Sequence, residues 1–133
     1  MNLIIDIGNN SAKFFLFNGE QIVLHTRREN TSFGIIDEWN RLYDIDRVIV
    51  STVIADSREL QDGLARLQCP VIRFDSSTPL PLEISYRTPG TLGSDRLAAA
   101  VGAWNEAAGR NLLVIDAGSA ITIDFVSKDG KYN

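Results

Sequence analysis

The pattern that most constrains this chain is a strand-and-turn signature that occurs twice. Leu3-Ile4-Ile5-Asp6-Ile7-Gly8 recurs as Leu113-Val114-Ile115-Asp116-Ala117-Gly118. Each copy is an apolar run ending in Asp-x-Gly, followed by a small polar residue and a second apolar run. One Asp-x-Gly often marks only a turn, but two with matching flanks predict a duplicated fold. The second lobe then starts near Asn111, and the division expected is 1–110 for an N-terminal lobe and 111–133 for the incomplete start of a second. The chain is expected to stop inside that second lobe.

Between the two copies the hydrophobic period alternates between strand and helix. Asn2–Ile7 and Ala12–Phe17 read as strands joined by a tight hairpin at Gly8-Asn9-Asn10-Ser11, residues that tolerate left-handed backbone. After the Asn18-Gly19 turn, Gln21–Thr26 makes a third strand. Ile35, Ile36, Trp39 and Leu42 space a helix, Arg47–Val53 is a β-branched strand, and Leu60, Leu64 and Leu67 mark a second helix. Pro70–Phe74 is a brief strand, and the Ser76–Pro81 stretch is a loop. Ser94 is the expected N-cap of a third helix over Asp95–Ala108, with Gly109 just beyond its end. Strands follow at Asn111–Ile115 and Ala120–Val126, then a turn at Lys128–Lys131. The order β-β-β-α-β-α-β-α, then β-β, predicts an α/β fold with a mixed sheet and helices packed on it.

Composition narrows the function classes. A chain of 133 residues with 44% hydrophobic and 23% charged residues is ordinary globular material. Lys plus Arg number 13 against 17 Asp plus Glu, and no basic cluster offers a face for nucleic acid. The lone Cys69 and lone His25 exclude an internal disulfide and a cysteine-rich zinc site. No apolar run approaches the ~18 residues of a membrane span, and residues 1–8 lack the basic start of a signal peptide. A cytoplasmic protein is expected.

Three segments carry chemistry. Two Asp-Gly hairpins facing each other across a cleft would offer backbone amides to a phosphate, because glycine removes the Cβ obstruction. Asp6 and Asp116 at the strand ends could hold cations, and Lys13 adds positive charge. Such an arrangement suits phosphoryl transfer, which depends on positioning and charge neutralisation. In Tyr86–Arg96, turn residues deliver Asp95 and Arg96 to the first turn of a helix. A carboxylate there can accept or orient a hydroxyl proton, and the arginine fork suits a substrate carboxylate. Each has a plain structural reading too: turn caps for Asp6 and Asp116, a solvated Lys13, a dipole-matched Asp95, a surface Arg96. His25 reads as a strand residue, Cys69 as a small buried thiol, and Trp39 and Trp104 as helix-face core.

The segments resemble those of the type III pantothenate kinases, members of the acetate/sugar kinase, chaperone ATPase and actin superfamily. Asp6-Ile7-Gly8-Asn9-Asn10-Ser11-Ala12-Lys13 resembles the family's first phosphate motif. Tyr86-x-x-Pro89-x-x-Leu92-Gly93-x-Asp95-Arg96 resembles its pantothenate motif, and Asp116-Ala117-Gly118-Ser119-Ala120-Ile121-Thr122-Ile123-Asp124 its second phosphate motif. The resemblance implies an actin-like (ribonuclease H-like) lobe and transfer of the ATP γ-phosphoryl group to pantothenate, towards coenzyme A. It implies that Asp6 to Lys13 contact ATP phosphates, that Asp6 places Mg2+, and that Ser119 contacts ATP. It also implies a monovalent cation, K+ or NH4+, at Asp116. Tyr86, Gly93, Ser94, Asp95 and Arg96 would line the pantothenate pocket, with Asp95 as proton acceptor. Asn10 departs from the family's Thr or Ser, although Ser11 follows. Ser119 departs from its usual Thr but keeps the hydroxyl. Family members are much longer homodimers, so this chain alone is expected to be inactive. The alternative is a non-catalytic, kinase-like accessory protein for transcription, which intact Asp95, Arg96 and both Asp-x-Gly motifs argue against.

Overall fold

The computed structural model describes residues 1–117 and 120–133. They form two compact units, Met1–Phe74 and Asp75–Asn133.

In the first unit, β1 (Asn2–Ile7), β2 (Ser11–Asn18), β3 (Gln21–Glu29), β4 (Arg47–Thr52) and β5 (Val71–Arg73) form one sheet in the order β3-β2-β1-β4-β5. The β1–β2 and β2–β3 pairs are antiparallel, whereas β1–β4 and β4–β5 are parallel, so the sheet is mixed as expected. Strand periodicity decides its inner face: Leu3, Ile5 and Ile7 of β1, Ala12, Phe14 and Leu16 of β2, and Val48 and Val50 of β4 are all buried. Helices α1 (Gly34–Leu42) and α2 (Arg58–Ala65) close this core with Ile35, Ile36 and Trp39 from one and Leu60 and Leu64 from the other. Helix α2 starts where Ser57 Oγ accepts the Leu60 N–H at 3.2 Å. A fork of two bonds, 2.8 and 2.7 Å, joins Arg66 at the end of α2 to Asp37 of α1.

Two details depart from the sequence reading. Strand β3 runs on to Glu29, because Arg27, Arg28 and Glu29 pair with Lys13, Ala12 and Ser11. The Gly8–Ser11 turn contains no left-handed residue; in this unit only Gly19 has a positive φ, 60°. The turn is closed instead by the Gly8 N–H donating to the Ser11 carbonyl at 2.9 Å. The Asn30 side-chain amide clamps it, donating to the carbonyls of Gly8 (3.2 Å) and Asn9 (2.6 Å).

The second unit holds β6 (Glu83–Ile84), a 3-10 turn at Pro89–Thr91, α3 (Ser94–Ala107), β7 (Leu112–Ala117), β8 (Ile121–Val126) and β9 (Lys131–Tyr132). Its sheet order is β6-β9-β8-β7, parallel at β6–β9 and antiparallel elsewhere, so it too is mixed. Helix α3 packs on β7 and β8. The buried side chains here are Leu82, Leu92, Leu97, Ala100, Val126, Tyr132 and the charged Asp124. The two-residue strands β6 and β9 are additions to the expected order, and the N-cap of α3 is Gly93 rather than Ser94, which is the first helical residue. The turn before β9 does need its glycine: Gly130 has φ 79° and lies under the Trp104 ring. Among the described residues, no helix is long and apolar enough to cross a membrane.

Candidate functional site

The first phosphate motif sits at the top of β1 and β2. Asp6 and Lys13 are directly opposed in the antiparallel ladder, which brings Lys13 Nζ to 3.8 Å from Asp6 Oδ2. Both side chains remain substantially exposed, so the pair is loose and each partner is available to a ligand. Ser11 Oγ accepts from Arg27 Nε at 2.9 Å, which adds a second cation at the turn. Ala12 is fully buried beneath it, and Asn9 and Asn10 are exposed at its tip. Sequence alone did not single out Asn30 or Arg27; both act across strands, and neither lies in the motif.

The pantothenate-like motif lies within the second unit. Asp95, in the first turn of α3, folds its carboxylate back so that Oδ1 accepts the Arg96 N–H at 2.8 Å. In that pose it covers Gly93, where any Cβ would collide with Asp95 Oδ1. The motif's glycine therefore makes room for the motif's carboxylate. Arg96 does not stand out as a free surface charge. Its Nε reaches both carboxylate oxygens of Asp124 at 3.1 and 3.2 Å, and Nη2 also bonds Oδ1. The Arg96 guanidinium lies 5.6 Å from the centroid of the Tyr86 ring. Tyr132 Oη donates to the same Asp124 oxygen, and its ring is 6.4 Å from that of Tyr86. Tyr86 also lines a cavity of about 640 Å³ with Ser85, Arg87, Thr88 and Asn133.

These contacts set the charges. Burial pushes the Asp124 carboxyl up, but bonds from Arg96 and Tyr132 outweigh it and hold the group below the ordinary carboxylate range. The bond to Asp124 raises Arg96 against the opposing effect of burial, so the guanidinium stays charged. Burial, and then the hydrogen bond it donates to Asp124, raise the Tyr132 phenol.

Asp116 lies at the exposed end of β7, opposite Thr122 of β8. Thr122 Oγ1 is buried with no hydrogen-bond partner among the described residues. The ladder register thus sets a carboxylate-bearing and a hydroxyl-bearing residue opposite each other on neighbouring strands, both oxygen groups of the kind that hard cations take. Among the described residues no cluster of three or more His, Cys, Asp or Glu side chains is gathered as a metal site. A magnesium ion brought in on nucleotide phosphates needs only one or two carboxylates, which Asp6 could provide. Ser119 lies outside the described residues. His25 is exposed beside the Phe15 ring, Trp39 is buried core, and Cys69 is partly buried, its thiol pushed up by burial.

The model of one protein family, the type III pantothenate kinases, matches residues 2–133. The chain belongs to the type III pantothenate kinase family. A type III pantothenate kinase of Bacteroides fragilis (strain ATCC 25285) is 44% identical over 133 residues, covering 100% of this chain and 55% of that protein. Relatives of the same description from Phocaeicola vulgatus and Porphyromonas gingivalis (strain W83) are 41% and 33% identical, over 55% and 53% of their lengths. The chain thus spans about half the length of the curated type III pantothenate kinases it matches. A crystal structure of a Campylobacter jejuni protein described as a Baf family transcriptional activator is similar with a TM-score of 0.51. It is 24% identical and covers 98% of this chain and 50% of that one, a likeness of fold alone.

Proposed function

We propose that residues 1–133 are the N-terminal part of a kinase that transfers the γ-phosphoryl group of ATP to pantothenate, giving 4'-phosphopantothenate. The observation that carries this reading is the convergence at the start of α3. Gly93, Asp95 and Arg96 meet in the first turn of α3, and the Arg96 guanidinium lies 5.6 Å from the ring of Tyr86, which lines a cavity. In the proposed reaction the pantothenate hydroxyl oxygen bonds to the γ-phosphorus while the bond to the ADP oxygen breaks. Asp95 accepts or orients the hydroxyl proton, the Gly93–Ser94 turn borders the substrate, and Arg96 faces its carboxylate. The Asp6–Lys13 turn holds the ATP phosphates, with Ser119 a further contact. Mg2+, held by Asp6, supplies charge neutralisation when bound. Asp116 and Thr122 take a monovalent cation, K+ or NH4+.

The sheet order β3-β2-β1-β4-β5, three antiparallel strands leading into two parallel ones, supports an actin-like (ribonuclease H-like) N-terminal lobe. The boundary proposed is residue 110, with 111–133 opening a second, incomplete lobe. The complete protein is proposed to be a cytoplasmic homodimer with neither a nucleic-acid nor a membrane partner. A non-catalytic transcription accessory role is not favoured: the family match is to kinases, and the Campylobacter likeness extends only to the fold.

The test is ADP release by a protein of the relatives' full length, given ATP and pantothenate. Activity is expected in wild type, and Asp95→Asn should lower kcat by about 10²–10⁴-fold. Wild-type protein that releases no ADP with pantothenate, yet does so with another hydroxy acid or sugar, overturns the assignment.

A further inference from the structure

We infer that Asp124 and Tyr132 are positioning residues, which fix the Arg96 guanidinium so that its outer edge meets a substrate carboxylate. The inference rests on the pantothenate reading above and extends it to residues outside the Tyr86–Arg96 motif.

The geometry comes from four separate pieces of chain: Tyr86 after β6, Arg96 on α3, Asp124 on β8 and Tyr132 on β9. Asp124 is 2% exposed and Tyr132 0%, so the carboxylate and phenol are part of the interior, whereas Arg96 is 25% exposed at its side chain. Asp124 engages Nε and Nη2, the side-on edge of the guanidinium. Nη1 and the second hydrogen of Nη2 make up the end-on edge, which matches a carboxylate in a two-bond fork. Tyr132 Oη donates to Asp124 Oδ1 and so fixes the carboxylate that fixes the arginine. The Tyr86 ring lies against the guanidinium and lines the neighbouring cavity, which connects the fixed cation to a space where a substrate could sit.

Stability does not account for this arrangement. A buried ion pair gives little or nothing over well-packed apolar side chains of the same volume, because desolvation offsets the attraction. Val126, the other inward residue near the end of β8, shows what an apolar choice looks like on the same strand. What the pair does provide is a single rotamer for arginine, otherwise one of the most mobile side chains. A carboxylate ligand then meets a preorganised fork instead of a flexible chain.

The experiment uses a protein of the relatives' full length and its Asp124→Asn, Tyr132→Phe and Arg96→Lys variants. Steady-state kinetics are read with pantothenate and with the analogue whose carboxylate is replaced by hydroxymethyl. Asp124→Asn is expected to raise KM for pantothenate about tenfold or more, leaving KM for ATP and for the analogue unchanged. Tyr132→Phe should move the same parameter in the same direction by about threefold. Adding Asp124→Asn to Arg96→Lys should change little further, since both remove one interaction. A folded Asp124→Asn with unaltered pantothenate KM, or with equal losses on both substrates, overturns the proposal. Should Asp124→Asn fail to fold, an unaltered pantothenate KM in folded Tyr132→Phe does so. Should wild type turn over neither compound, the substrate assignment fails on its own. The Arg96 Nε–H resonance in a ¹⁵N spectrum then decides the positioning: slow exchange lost in either variant supports it, and retention in both overturns it.

Discussion

Replacing Gly93 by alanine separates the stability of α3 from the geometry of its first turn. Gly93 has φ −60° and ψ 138°, a backbone that alanine adopts without strain. The difficulty is the side chain, because an added Cβ collides with Asp95 Oδ1. That oxygen is the end of a rotatable side chain, so the carboxylate swings aside and the fold survives. The bond Asp95 accepts from the Arg96 N–H at 2.8 Å is lost in the process. Losing such an exposed helix-start bond costs about 1 kcal/mol, or about 2–4 °C in Tm for a protein of the relatives' length.

The catalytic cost is expected to be much larger. A reacting group moved by about 1 Å can lower a rate by about 10²-fold, equivalent to about 2.7 kcal/mol of barrier. Gly93→Ala should therefore lower kcat about 10²-fold while Tm falls only a few degrees. Gly102→Ala is the matched control, since it lies in the same helix and an added Cβ meets nothing within 4 Å. It should stabilise by about 0.5–1 kcal/mol and leave kcat alone. ADP-release kinetics and thermal melts on both variants make the test. A Gly93→Ala enzyme with kcat within about threefold of wild type refutes the claim that the chemistry uses the observed Asp95 pose.

Three further outcomes are expected. Asp124 is held below its ordinary pKa in the folded state, so its contribution to stability is present above pH 3.8 and lost as pH falls below it. Melts taken between about pH 6 and 2 should show a shallower acid limb in Asp124→Asn than in wild type, and equal limbs would contradict this. Phe14 is fully buried and meets Phe33 edge-on at 6.3 Å, so Phe14→Ala should cost about 3–5 kcal/mol by urea titration; a loss under about 1 kcal/mol would refute the packing. The 133-residue chain exposes Leu113, Ile115, Ile121, Ile123 and Phe125 by 40–72%, and is expected to self-associate and to lack kinase activity. Sedimentation velocity should show association that weakens in Ile121→Lys/Ile123→Lys, and a monodisperse wild-type monomer would count against it.

Local patterning carried the strands of the first unit. The apolar runs of β1, β2 and β4 read as strands and are strands, but the buried Leu3, Ile5, Phe14, Val48 and Val50 alternate with the equally apolar Ile4, Phe15 and Ile49, so the inner face was not legible from the runs themselves. What failed were features decided by distant partners. The last residues of β3, Arg27-Arg28-Glu29, look like loop and are strand only because Ser11–Lys13 lies beside them. Strands β6 and β9 are two residues each, and they form through the bonds Glu83 N–H to Gly130 O and Ser85 N–H to Tyr132 O, at 2.8 and 2.9 Å. No window of sequence contains both partners. The Gly8–Ser11 turn was legible as a turn, but its conformation is set by Asn30, far along the chain.

The β7–β8 hairpin shows most clearly how a polar partner can override hydrophobic pattern. Read alone, Ile121-Thr122-Ile123-Asp124-Phe125-Val126 would bury Ile121, Ile123 and Phe125 and turn Asp124 to water. The structure does the reverse: Asp124 and Val126 are buried under α3, and the three larger residues face outward. The register is consistent with the ion pair, because a shift by one residue would take Asp124 away from Arg96 and Tyr132 and leave both without it. Burying Asp124 on one face of β8 puts Ile121, Ile123 and Phe125 on the other, where Leu113 and Ile115 of β7 extend the same stripe. An apolar face of that kind is stable only when something covers it. The charged cluster under α3 and the uncovered stripe opposite it are thus two consequences of one register, and the stripe supports the proposal that 111–133 open a larger lobe.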